Sequence, residues 1–175
     1  GKGDLFLESG DAHWLFFATF GYLTQCLPMH WAVWTGRFIT WIFLALGWTM
    51  LGRSLWLNVK QKEKQPQTPL LASFWAIVWL AGIHYGHWAG EWVVGGCESK
   101  GIAYALIFSG LAFAVKSRWT LAWIMLGGAS AYHVVTGIWV IACVATVSLL
   151  LDGYSIRKWF ETHSLGWSLC FIGVV

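Results

Sequence analysis

Residues 119–151 read WTLAWIMLGGASAYHVVTGIWVIACVATVSLLL, 33 consecutive positions without Asp, Glu, Lys or Arg. A helix of about 20 apolar residues suffices to cross a bilayer, so this stretch alone predicts a membrane-crossing segment. It is too long for one untilted helix and short for two. The reading is one long helix, with Gly137 as the place where it would part. Lys116-Ser117-Arg118 precede it and a polar segment, 152–163, follows.

Working outward, the same pattern recurs. Apolar runs cover 12–29, which ends near Pro28, then 31–52, 69–94 and the shorter 101–115, and a partial run opens at 164–175. Between them lie Arg53 with the polar loop Asn58 to Gln67, and the short loop Gly95 to Lys100. The chain is 58% hydrophobic and 11% charged, with a mean hydropathy of +0.61. Soluble domains carry about 25% charged residues. Strands of a membrane barrel would alternate polar and apolar side chains, and these runs do not. The prediction is an all-α, polytopic integral membrane protein of about five to six transmembrane helices. A polar N-terminal segment, 1–11, precedes one transmembrane domain, 12–175. No internal repeat is visible.

The net charge of +3 is spread over loops and leaves no nucleic-acid footprint. Arg53 to Lys64 and Lys116 to Arg118 fall on one side of the expected topology, which the positive-inside rule makes the inner side. Trp14, Trp31, Trp56, Trp92, Trp119 and Trp159 fall near expected membrane boundaries, where a tryptophan belt belongs. His13 and His163 also sit at boundaries and need no role there. Cys26, Cys97, Cys143 and Cys170 are scattered without a CxxC pair, so neither a zinc site nor a disulfide framework is expected. The chain opens on Gly1-Lys2-Gly3 and stops in an apolar run. It therefore reads as a processed product, a trimmed piece or a partly read chain. No basic stretch followed by a short apolar core and small-residue cleavage site is seen, so no signal peptide is expected.

The third run carries the chemistry: Gly82-Ile83-His84-Tyr85-Gly86-His87-Trp88-Ala89-Gly90-Glu91. At about 100° per residue, Gly82, Gly86 and Gly90 form one stripe, and His84, His87 and Glu91 lie on roughly the opposite side. The stripe would admit a neighbouring helix closely, so a homo-oligomer or other membrane subunits are expected partners beside the lipid bilayer. Ionisable groups at membrane depth are costly and are functional candidates by default.

Depth assembles a constellation. His84 lies 14 residues beyond Leu70, and His133 lies 14 residues beyond Trp119. Both are then roughly 21 Å from the inner face. Two imidazoles at equal depth on different helices suit six-coordinate haem b, with Arg37 meeting a propionate and the chain serving electron transfer as a small subunit. His30, Arg37, His87 and Glu91 share the outer third, where an Arg37–Glu91 pair would neutralise two charges and His87, Glu91 and His30 would form a proton path. His84, His87 and Glu91 also have the spacing of metal ligands on one helix face, for metal or proton transport. The alternative is a structural or accessory transmembrane subunit, or a membrane piece of a polyprotein, without a cofactor.

Two short segments resemble known families. Arg37-Phe38-Ile39-Thr40-Trp41 resembles the RYxxW segment of microbial rhodopsins, and Ser130-Ala131-Tyr132-His133-Val134-Val135 looks like their Ser-Ala-Tyr-Pro-Val-Val segment. Ile156 stands where the retinal lysine would be, so this resemblance implies a seven-helix relative without retinal. Asp152 to Arg157, followed by Gly166, is similar to the CDP-alcohol phosphotransferase signature. Leu149, Cys170 and Val174 occupy three of its aspartate positions, which implies an inactive relative.

Overall fold

Proline sets two of the helix starts. Pro69 is the first residue of its helix and Pro28 immediately precedes another; there the missing N–H costs nothing and the fixed φ is already helical. The computed structural model describes residues 14–60, 69–86, 97–151 and 155–174, and these are all-helical with no strand. In chain order they form α1 (Trp14–Thr19), α2 (Gly21–Cys26), α3 (Met29–Lys60), α4 (Pro69–Gly86), α5 (Ser99–Val115), α6 (Trp119–Tyr132), α7 (Val134–Leu151) and α8 (Ile156–Val174).

Several boundaries differ from those expected. The run 119–151 is two helices, and they part at His133 rather than near Gly137. α3 continues through Arg53 to Lys60, where a polar loop was predicted. The sequence there holds no proline before Pro66, and its Leu, Arg, Asn and Lys tolerate helix. The run 12–29 contains two one-turn helices, α1 and α2, instead of one crossing. α8 begins at Ile156 and joins the polar segment to the apolar one. Among the described residues two helices, over Met29–Leu55 and Val134–Leu151, are long and apolar enough to cross a membrane; α5, at 17 residues, is shorter.

The core mixes small residues with a few large ones, Trp123 and Leu126 among them. Ala103, Ala112, Ala122 and Ala129 are completely buried, while Phe38, Ile42, Phe43 and Leu46 of α3 and Val135, Ile138, Trp139 and Leu151 of α7 are exposed. Small side chains let helix backbones approach and gain dispersion contacts along their length. α6 is the hub: it packs on α5, α7 and α8, and α5 packs along α3.

Matched positions fix the directions. Gly36 lies against Cys97, and Gly47 against the Ala105 carbonyl and Phe108, so α3 and α5 run parallel. Thr120 and Trp123 meet Gly166, and Gly127 meets Cys170, so α6 and α8 also run parallel. The tight α5–α6 turn makes those two antiparallel. The C-termini of α3, α5 and α7 and the N-termini of α6 and α8 therefore gather at one end.

Candidate functional site

The α6–α7 break places His133 between two helix ends. Its backbone is extended (φ −147°, ψ 96°), which ends α6. The imidazole turns onto the next helix: Nδ1 lies 2.9 Å from Thr136 Oγ1 and 3.3 Å from the Thr136 amide, which donates to it. This is a side-chain cap, satisfying an amide that the first turn of α7 would otherwise leave open. Gly137 then packs directly on the Ser130 backbone. Ser130 Oγ is buried there without a hydrogen-bond partner among the described residues. Tyr132, one residue before the break, places its hydroxyl 3.3 Å from Thr19 Oγ1, so α1 rests on the same corner. His133 is half-buried.

Arg37 stands two turns into α3. Its guanidinium lies 5.1 Å from the Trp34 ring centroid, a cation–π contact. Its Nε is buried without a hydrogen-bond partner among the described residues. Cys97 packs on the adjacent Gly36. Burial pushes the Cys97 thiol above its ordinary pKa; the positive Arg37 draws it down, the negative Glu98 raises it, and a hydrogen bond with Thr40 lowers it. The net direction is upward, because desolvation of a thiolate outweighs these partners.

Of the other residues singled out in the sequence, His30 is exposed at the start of α3 and meets Trp31 edge-on at 5.8 Å. His84 lies in the last turn of α4; its side chain, and all of His87 and Glu91, lie outside the described residues, as does the Arg37–Glu91 pair. α4 packs on α3 and, through Trp79, against Tyr104 and Phe108 of α5. His30 and Arg37 lie on α3, and His133 at the α6–α7 break. Among the described residues no group of three His, Cys, Asp or Glu side chains could hold a metal ion. Gly82 has nothing within 4 Å of where a Cβ would stand, so its side of α4 is open among the described residues.

The most completely enclosed of the described histidines is one to which the sequence assigned no role. His163 is 1% exposed. Trp123 Nε1 donates to its Nδ1 at 2.9 Å, so the ring carries its proton on Nε2 when neutral. Trp159 stacks on it at 4.9 Å with 15° between planes, and Trp119 lies 4.4 Å away. Trp167 packs against both Trp123 and Trp159. Trp159 Nε1 donates to Ser148 Oγ of α7 at 2.7 Å, and that hydroxyl donates onward to the Ala145 carbonyl at 2.9 Å. Trp119 and Trp159 are thus bundle residues rather than belt residues. The available signal was Trp159, His163, Gly166 and Cys170, spaced as one face of a helix.

Compared with known protein families, curated proteins and solved structures, the chain finds no match.

Proposed function

We propose that this chain is a multi-pass helical membrane subunit whose work is structural: it presents apolar helix faces to lipid and to partner helices around a rigid α5–α6–α8 centre. The observation that carries this reading is the exposure of aromatic and branched side chains along α3 and α7, the two described helices of crossing length. In water such faces would drive aggregation; in lipid they cost nothing. The aromatic box around His163 serves as a lock between α6, α7 and α8. The test is flotation of the full chain with vesicles after alkaline extraction, together with identification of proteins that co-purify in mild detergent. A chain released by alkali would overturn the membrane reading.

A second reading is favoured by one observation, the half-buried His133 at a helix break within an uncharged stretch. Here haem b would be held between His84 and His133, with Arg37 at a propionate and His87, Glu91 and His30 moving protons. Ligation through Nε2 requires the His133 proton on Nδ1, so the cap from the Thr136 amide to that atom would be given up and Thr136 Oγ1 would accept instead. An absorption spectrum of the purified protein with and without dithionite decides this. A Soret band that shifts on reduction and is lost in His133→Ala supports haem; a featureless visible spectrum removes it.

A further inference from the structure

Helix direction collects charge at one end of the bundle. α3 and α5 run parallel, so the exposed Arg53 stands beside the end of α5. The α5–α6 turn there carries Lys116 and Arg118, both exposed. α6 and α8 also run parallel, which brings the exposed Arg157 and Lys158, at the start of α8, to the same end. Of the described basic residues only Arg37 and Lys100 lie elsewhere. The described acid at this end is Glu161, bridged to Arg157 at 3.2 Å. Three stretches of chain distant in sequence thus contribute to one cationic rim.

The turn itself is built to hold these cations outward. Ser117 adopts φ 57°. Its amide donates to the Ala114 carbonyl at 2.8 Å, and the Arg118 amide to the Phe113 carbonyl at 2.9 Å. This pair of bonds is the Schellman closure of α5. It fixes Lys116 and Arg118 on either side of a rigid left-handed residue. Interspersed with these cations, Leu55, Leu151, Ile156 and Phe160 are exposed, Leu151 to 74%. Long cationic side chains can reach headgroups while the apolar side chains beside them meet acyl chains.

We propose that this end of the bundle binds the headgroups of anionic phospholipids. The inference rests on the membrane reading and goes beyond it, because a helical membrane protein need not prefer one headgroup charge. Charge complementarity selects the occupant. A juxtamembrane cation strengthens attraction to an anionic surface by roughly fivefold, screened within a Debye length by salt.

The experiment uses the full chain reconstituted into vesicles of phosphatidylcholine alone and of phosphatidylcholine mixed with phosphatidylglycerol. Flotation scores insertion. Lipid retained after gentle detergent extraction is then identified by mass spectrometry. The protein inserts into both and retains phosphatidylglycerol in excess over its proportion in the mixture. High salt during extraction removes that excess. Arg53→Gln, Lys116→Gln and Arg118→Gln together lower it by up to about a hundredfold, the product of three fivefold terms. Far-ultraviolet circular dichroism of the triple variant checks that it has folded, and Lys116→Gln alone serves if it has not. Insertion into both vesicles with retention in the feed ratio overturns the headgroup proposal and leaves the membrane reading standing. Failure to float with either vesicle overturns both.

Discussion

Trp123 and His163 are both fully buried and joined by a 2.9 Å hydrogen bond from the indole nitrogen to the imidazole Nδ1. The bond ties α6 to α8 across 40 residues of sequence, in a site walled by Trp119, Trp159 and Trp167. Removing the donor while keeping an aromatic ring isolates its contribution. Trp123→Phe leaves Nδ1 buried without this donor, which costs about 1–3 kcal/mol. Trp159→Phe removes a bond to Ser148 Oγ, whose hydroxyl keeps the Ala145 carbonyl, so its cost is about 0.5–1.5 kcal/mol. Thermal unfolding in one detergent ranks the two variants. A Trp159→Phe loss larger than that of Trp123→Phe contradicts this assignment. Ring nitrogen chemical shifts check that the proton sits on Nε2.

Ser117 gives a prediction of the opposite sign. A side chain at φ 57° costs roughly 1–2 kcal/mol in a position where glycine is at ease. Ser117→Gly should therefore raise stability, less a few tenths of a kcal/mol for the extra freedom of the unfolded chain. Ser117→Val, with a branched Cβ at the same φ, should lower it. Melting temperatures of the two variants against the parent decide the matter, and a destabilising glycine would count against the Schellman closure.

Much of the helical class was readable because it rests on long apolar runs, as in 119–151, whose period needs no partner. The break at His133 was not, because it depends on one imidazole capping Thr136 and on Gly137 settling onto Ser130, neither of which has a local signature. The α3 extension past Arg53 was missed because charge was taken as the end of a helix, whereas only Pro66 forbids it. The site was less legible still. His163 and its tryptophans lie on two helices, and their meeting follows from parallel packing of α6 and α8 that composition does not encode. Trp159 and Trp119 look the same in sequence as Trp31, which is 63% exposed.

Two classes of glycine separate by substitution. A Cβ at Gly127 would stand 2.6 Å from the Cys170 carbonyl oxygen, and one at Gly166 would stand 2.8 Å from the Thr120 Cα. Backbone cannot yield as a side-chain tip can, so Gly127→Ala and Gly166→Ala should each cost about 1–3 kcal/mol. Gly82 meets nothing, and Gly82→Ala should be neutral or gain up to about 1 kcal/mol from helix propensity. Gly82→Leu then tests the partner expected at the glycine stripe. Loss of a co-purifying subunit or of the oligomer, with the melting temperature of the isolated chain unchanged, would show that this open face is used. Unchanged assembly would show that it is not.

Cys97 offers a pH test of the Arg37 corner. Burial raises its pKa, with Glu98 acting in the same direction and Arg37 and the Thr40 hydrogen bond opposing. A raised pKa means less thiolate at neutral pH and slower alkylation. In a chain retaining only Cys97, with Cys26 and Cys143 replaced by Ser and Cys170 by Ala, the alkylation rate should climb at higher pH than for the same chain unfolded in denaturant. Arg37→Gln removes an attraction for the thiolate, so the midpoint should move further up. Glu98→Gln removes a repulsion, so it should move down. Opposite shifts from the two charge-neutralising variants cannot arise from altered access alone, since a looser packing would speed both. A Cys97 midpoint at or below that of the unfolded chain, or shifts of the same sign in both variants, would show that the guanidinium and the thiol do not sense each other across Gly36.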